Sequence, residues 1–435
     1  MSVRVHPHFE IPAPNEPIAL GTEAARIRLL SQAVEAKLKA CLTFVPRPRV
    51  AFEIELPAYF GLDFSNQTEV TLLSCGTTVS CQVLKGKMFS NEPSSVWLRP
   101  DQEITRGALD RPVSSIVFVI PNFPDFLAHG VIRECPGGWT REDEIRLQFF
   151  GWKVTIQKTV DFDETKALLV EKGTFAVNAV GVFERTDGRV FTWHEAAPHL
   201  EALRVFLSFA CGRWTGPMLP AGVGPNGERV WFRWSVPLID DGYAVFTWFD
   251  IHNGTALTDI APEFMAKWHD PLWNKAFSYA IYWFVRANLA AAGSDGSLIL
   301  SQAALEMLSW TYLVQSSGMS RTKFKTLGTA EAIRELLKAL GIPSGVPTSL
   351  SSLQAFAASS VTTGPTDGVG ALVAVRNNLV HPEKAVGALP VTDAWRLAQR
   401  FVELVLLRLC GFNGDHANRT VSPRWVGQVE RVPWV

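Results

Sequence analysis

The stretch DPLWNKAFSYAIYWFVRANLAAAG, residues 270–293, decides how this chain folds. It reads as one long helix closed by Gly293, and it follows a long run of strand-like segments. The apolar period changes from about 2 to about 3.6 residues, and we place the change at Pro262. Beyond it SLILSQAALEMLSWTYLVQ makes a second helix and TAEAIRELLKALGI a shorter third. SLSSLQAFAASSVTTGPTDGVGALVAVRNNLV contains a loop and then a helix, and TDAWRLAQRFVELVLLRLCGF closes the set. Four or five helices with short connections predict a compact all-α bundle over residues 262–435.

Upstream, from about Cys41 to Ile260, the pattern is different. VAFEIEL, EVTLLS, VSCQVLKG, SSIVFVI, EIRLQFFGWKVTI, TFAVNAVGVF, RVFTWH, RVWFRWSV and YAVFTWF are short, β-branched and aromatic. TDG at 186–188, PNG at 225–227 and DDG at 240–242 supply turns between them. Residues 41–261 therefore predict a β-rich, sandwich-like domain, with a barrel as the related possibility. One helix decorates it: in PHLEALRVFLSFACGR, Leu200, Leu203, Leu207 and Ala210 fall at helical spacing. Residues 1–40 read as a Pro-rich lead and a short amphipathic helix, TEAARIRLLSQAVEAKLKACL, with Thr22 as its cap. The expected class is α+β and multidomain, an N-terminal β-rich domain followed by a C-terminal all-α bundle.

Composition excludes several functions. The 435 residues are 47% hydrophobic and 19% charged, ordinary for a globular protein. No apolar run approaches the roughly 20 residues that span a bilayer, and MSVRVHPHFEIPAPNEP lacks the core of a signal peptide. Six scattered cysteines without a CxxC pair fit a reduced cytoplasm and no zinc ribbon. There is no HExxH, P-loop or GxSxG, so no metal or cofactor is expected. GVGPNG, Gly222 to Gly227, precedes a strand and reads as a hairpin turn; His6 and His8, in the Pro-rich lead, read as binding nothing. The formal charge is −1, but residues 1–261 hold 25 Lys+Arg against 30 Asp+Glu, and residues 262–435 hold 16 against 12. The mildly basic C-terminal part is compatible with a phosphate backbone.

VAVRNNLVHPEK, Val373 to Lys384, concentrates an Arg, two Asn and a His at a helix end. Leu372, Val375 and Leu379 form the buried stripe, leaving Arg376 and Asn377 turned away from it. Asn377 and His381 are four apart, and Pro382 disfavours helix at His381, so the imidazole sits where the helix unwinds. These types suit phosphodiester cleavage without a metal. A His can take a proton from a ribose 2′-OH or give one to the leaving oxygen, and an Arg can neutralise the phosphorane. An Asn can hold a phosphate oxygen or orient the ring. The spacing alone is a poor discriminator, because RVFTWH, Arg189 to His194, repeats it on a predicted strand. There we read Trp193 as core and His194 and Glu195 as opening a helix. SRTKFKT, with Arg321, Lys323 and Lys325, reads as a solvated loop or as a guide for RNA.

RNNLVHP at a helix end resembles the Arg-x(4–6)-His motif of HEPN-domain proteins. ELVLLRLCGFNGDHANR, Glu403 to Arg419, is similar to the closing helix and tail of their ApeA-like branch, and AALEMLSW, with Glu306, to the second helix. The resemblance covers residues 265–420 and implies a HEPN-like helical bundle. It also implies a metal-independent endoribonuclease leaving 2′,3′-cyclic phosphate, a homodimer through the helical domain, and a role in abortive-infection defence against phage. Arg376 and His381 match the motif's essential positions and Asn377 its polar follower. Asn378 falls in the spacer, and Glu306 is a candidate partner for Arg376. The β-rich domain would sense a trigger or restrain the nuclease. The alternative is a catalytically silent scaffold whose β-rich domain binds a protein or a carbohydrate. Fifteen Trp suggest sugar stacking, although Trp231 and Trp234 read as core.

Overall fold

The computed structural model describes residues 4–29, 32–57, 67–86, 94–127, 132–134, 140–243, 245–289, 293–359, 367–381 and 388–435. The coarse class is as expected: β-rich first, helical after it, hence α+β. The chain forms two compact units, and neither is one continuous stretch. The first takes Met1–Phe123, Gly151–Leu200 and Thr215–Tyr243; the second takes Pro124–Phe150, Glu201–Trp214 and Ala244–Val435. The expected cut at Pro262 falls inside a helix, Thr255–His269, and is corrected accordingly.

In the first unit β1 (Ile18–Leu29), β2 (Gln32–Thr43), β3 (Arg49–Leu56), β4 (Thr68–Leu72), β5 (Thr77–Lys85) and β6 (Ser94–Pro100) form a closed barrel. Their order is β1-β2-β3-β6-β5-β4. The sandwich is thus corrected to a barrel, in which closure leaves no unpaired edge. The predicted N-terminal helix is corrected to the β1–β2 hairpin, with Thr22 paired to Lys39 instead of capping a helix. Ala25, Ile27, Leu38, Ala40 and Leu42 are buried while Arg26, Arg28 and Lys39 are exposed. That is period two, and barrel closure outweighs the helix propensity of Ala, Glu and Lys.

A second sheet in this unit contains β7 (Ile104–Gly107), β8 (Ser115–Pro121), β12 (Trp152–Lys158), β13 (Val177–Arg185), β14 (Met218–Val223) and β15 (Arg229–Trp234). It runs β12-β13-β8-β14-β15-β7 and shares a core with the barrel, where Phe52, Ile54, Val70 and Leu98 meet Val119, Met218 and Trp234. Trp231 and Trp234 are buried, as read. EIRLQFFGWKVTI breaks at Phe150 and Gly151, both at positive φ. RVFTWH is not a strand: Phe191 makes one isolated bridge to Val113, and α2 (Trp193–Cys211) starts two residues later. YAVFTWF forms no strand among its described residues. DFDETKALLVEK holds an unexpected helix, α1 (Phe162–Lys172). The lead is tied down: Val5 N–H donates to Gln157, and Asn15 and Phe175 exchange two hydrogen bonds.

The second unit holds β9 (Ile132–Glu134), β10 (Thr140–Glu142), β11 (Glu144–Phe149) and the end of α2. Its helices are α3 (Thr255–His269), α4 (Asn274–Asn288), α5 (Gly293–Trp310), α6 (Arg321–Thr326), α7 (Thr329–Ala339), α8 (Ser351–Ser359), α9 (Gly368–Val380) and α10 (Val391–Leu409). A π turn, Thr311–Ser316, extends α5. α5 is central, packing on α4, α7, α9 and α10, while α3 lies on β11. SRTKFKT, expected as a loop, is the short helix α6, capped by Ser320, whose hydroxyl accepts from Lys323 N–H. The tail pairs β16 (Asp415–His416) with β17 (Glu430–Arg431).

Candidate functional site

The first turn of α9 explains why the helix starts where it does. Asp367 accepts from Gly370 N–H at 2.8 Å and receives a two-pronged bond from Arg334 of α7, at 2.8 and 2.9 Å. Burial opposes ionisation of Asp367, but the Arg334 guanidinium and the Gly370 amide outweigh it and lower the pKa. Gly368 is required by space, since a Cβ there would stand 2.8 Å from Leu397 and from the Ser344 carbonyl. Val369, Leu372 and Val375 then bury one side of the helix against its neighbours.

The last turn is different. Arg376, Asn377, Asn378, Leu379 and Val380 are all half-buried and His381 is exposed. Leu379 was expected in the buried stripe; the helix end has risen out of the core by then. His381 N–H still donates to the Asn377 carbonyl at 3.0 Å, so Asn377 and His381 sit one turn apart where the helix stops. Pro382 and the rest of HPEK lie outside the described residues. Arg376 Nη1 donates to Asn377 Oδ1 at 3.3 Å, while its Nε is buried and has no partner among the described residues.

Other arginines of this unit make the contrast. Arg334, Arg400 and Arg419 each hold a carboxylate at 3.0 Å or less, and among the described residues Arg376 has none. A half-buried guanidinium against an amide, with an exposed histidine one turn past that amide, has the residue types of an anion site with a proton carrier.

The other sequence-predicted residues separate. Glu306 is exposed and accepts from Gln302, one turn earlier, at 2.8 Å; it is not the partner of Arg376. Arg321, Lys323 and Lys325 are exposed on α6, anchored where Phe324 meets the Trp310 ring edge-on at 5.0 Å. α6 packs on the π turn and α9 on α5, α7, α8 and α10. In the decoy, Arg189 is 82% exposed and faces Asp187, and His194 lies in the first turn of α2. The Arg334–Asp367 clamp was missed, although an Asp directly before an apolar helix is a start signal. Among the described residues no group of three or more His, Cys, Asp or Glu could hold a metal ion. No helix among them is long and apolar enough to cross a membrane.

The tail of this unit is a buried polar brace. Arg419 and Glu403 are 2% and 1% exposed and joined at 2.5 and 2.8 Å. Arg419 also donates to Asn288 and to the Phe246 carbonyl. His416, Arg400 and Asn418 gather around Glu430, and burial lowers the pKa of His416.

Residues 270–431 match a family model described as the YopA C-terminal domain, and residues 109–245 match the YopA central domain. The chain is similar to the "SPbeta prophage-derived uncharacterized protein YopA" of Bacillus subtilis (strain 168). The identity is 25% over 433 residues, covering 97% of this chain and 95% of that protein. No solved structure matches it.

Proposed function

We propose that the second unit is a HEPN-like, metal-independent endoribonuclease whose active residues are Arg376, Asn377 and His381. The observation that carries this reading is the end of α9. It presents an arginine that has no carboxylate partner among the described residues, an asparagine against it, and an exposed histidine one turn past the asparagine. In the reaction the ribose 2′-oxygen attacks phosphorus and the P–O5′ bond breaks, leaving a 2′,3′-cyclic phosphate and a 5′-hydroxyl. His381 removes the 2′ proton, Arg376 meets the charge growing on the phosphorane oxygens, and Asn377 steers the guanidinium. The 5′-oxygen needs a proton from a second acid. A homodimer that brings two copies of α9 together supplies it from the other His381.

The chain then acts in the cytoplasm as an effector of an abortive-infection defence, its β-rich unit sensing a phage or cellular trigger. A prophage-derived relative fits a role in conflict between phages. A second reading, a silent scaffold that binds through the β-rich unit, rests on a cleft of about 210 Å³ lined by Arg49, Arg99, Asp101, Glu103 and Trp234.

The deciding test is RNA cleavage in EDTA by wild type, Arg376→Ala, His381→Ala and the decoy Arg189→Ala. Wild type and the decoy should leave cyclic-phosphate ends. The other two should be slower by about 10²–10⁴-fold, the usual worth of one acid–base group. Cleavage by His381→Ala at the wild-type rate sinks the assignment. Arrested growth on overexpressing wild type but not His381→Ala supports it in cells; normal growth with both favours the scaffold.

A further inference from the structure

β3 and β6 are antiparallel neighbours in the barrel, so the start of one and the end of the other share a rim. Arg49 opens β3 and Arg99 stands one residue before the end of β6. Both line a cleft of about 210 Å³, together with Trp234 of β15. Arg99 is exposed and donates to Gln82 at 2.6 Å. Arg49 is half-buried, and its Nε is buried with no partner among the described residues. The same holds for the indole Nε1 of Trp234, a residue only 3% exposed. Buried donors without an acceptor are costly, and two of them on side chains of one cleft point to an acceptor from outside the chain.

The carboxylates of the cleft have partners of their own. Glu103 accepts from Arg233 and Ser235, and Asp101 accepts from Gln67 at 3.1 Å. Among the described residues neither Arg49 nor Arg99 is held by a carboxylate. The cleft therefore offers an excess of donors, which favours an anion. Pro48, Val50, Pro100 and Val236 make the rest of its wall apolar. Its volume is below the roughly 300–1,000 Å³ of sites for drug-sized ligands, so the occupant is small.

We propose that this cleft binds a small organic phosphate monoester, its phosphoryl group taken by Arg49 and Arg99 and its organic part by the prolines and valines. Elsewhere in the chain one arginine is enough for one carboxylate, as Arg334 holds Asp367 and Arg419 holds Glu403. Two arginines at one cleft match the charge of about −1.5 to −2 and the three acceptor oxygens of a phosphate monoester. Every lining residue belongs to the first unit, so the site goes beyond the ribonuclease reading and does not depend on it.

The experiment titrates phenyl phosphate into the full chain at low salt and reads the heat by isothermal titration calorimetry. Inorganic phosphate should compete, and benzoate, with one charge and two oxygens, should bind about tenfold more weakly. Arg49→Ala should weaken binding about tenfold, and Arg99→Ala, a surface change, by less. Arg49→Lys keeps the charge without the planar fork and should fall between wild type and Arg49→Ala. Asp101→Asn removes a negative charge from the cleft and should tighten binding. Arg28→Ala, an exposed arginine of β1 outside the cleft, should change nothing. No binding by wild type overturns the proposal, and so does benzoate binding as tightly as phenyl phosphate. Equal loss in Arg28→Ala overturns it too, because that marks a general attraction of anions to the surface. Circular dichroism checks folding; if Arg49→Ala is unfolded, Arg99→Ala decides alone, and unchanged binding there sinks the site.

Discussion

Arg419 and Arg376 show two uses of one side chain in the same unit. Arg419 is fully out of water and stands only because Glu403, Asn288 and a carbonyl complete its hydrogen bonds. Removing one charge leaves the other buried alone, so Arg419→Ala should lower unfolding free energy by about 3–5 kcal/mol in urea titrations. Arg419→Met with Glu403→Leu should cost less than Arg419→Ala alone; an equal or greater loss would show that packing, not charge, is decisive. Among the described residues Arg376 has no carboxylate, and its side chain bonds to Asn377. Asn377→Ala should slow cleavage about tenfold with an unchanged melting temperature, since Asn377 makes one long bond of 3.3 Å. His8 behaves differently again. Burial and then the charge of Arg229 lower its pKa from 6.5 to about 4, so the neutral ring is the folded form. Its contribution is present above pH 6.5 and is lost as the pH falls toward 4. Amide exchange at Val5 and Asn15 should therefore accelerate over that window, and His8→Leu should abolish the acceleration.

Among the elements, α9 depends most on a single cap. Asp367→Ala removes the acceptor of Gly370 N–H and frees Arg334, at about 1–2 kcal/mol for the cap. The helix carrying Arg376 should fray, so cleavage falls more than global stability, and Asp367→Asn, which keeps the cap, should recover part of it. Because the folded pKa of Asp367 is lowered, the clamp is intact at neutral pH and is lost only below the ordinary carboxylate range. Elements with a strong period were legible in the sequence: α4 and α7 lie within the quoted stretches, and β8, β13 and α10 overrun theirs by one or two residues. β1 and β2 were not, because their outward residues are helix formers and two of their inward ones, Ala25 and Ala40, are alanines; only pairing across the barrel reveals the alternation. RVFTWH failed for the opposite reason. Its residues favour strand, but Trp193 starts α2, and Glu195 accepts from Thr192 N–H at 2.7 Å as helices begin.

For the whole molecule, the interleaved units forbid the simple cut at residue 262. A fragment from 262 onward lacks β11, the end of α2 and the first half of α3, all part of the second unit. It should be unfolded by circular dichroism; a cooperative melt would show that residues 262–435 hold their own core. Full-length protein should scatter light as a dimer, since one His381 cannot serve as both acid and base, and a monomer active in dilute solution would remove the composite site. The sequence by itself determined the α+β order, the helices after residue 270, and the residue types at the end of α9, because local period and turn chemistry suffice for these. Tertiary structure alone decided that the barrel closes, that the units interleave, and that Glu306 faces water. It also decided that, among the described residues, Arg376 has no carboxylate where Arg334, Arg400 and Arg419 have one. Pairing and burial depend on residues far apart in the chain, and no local window of sequence contains both partners.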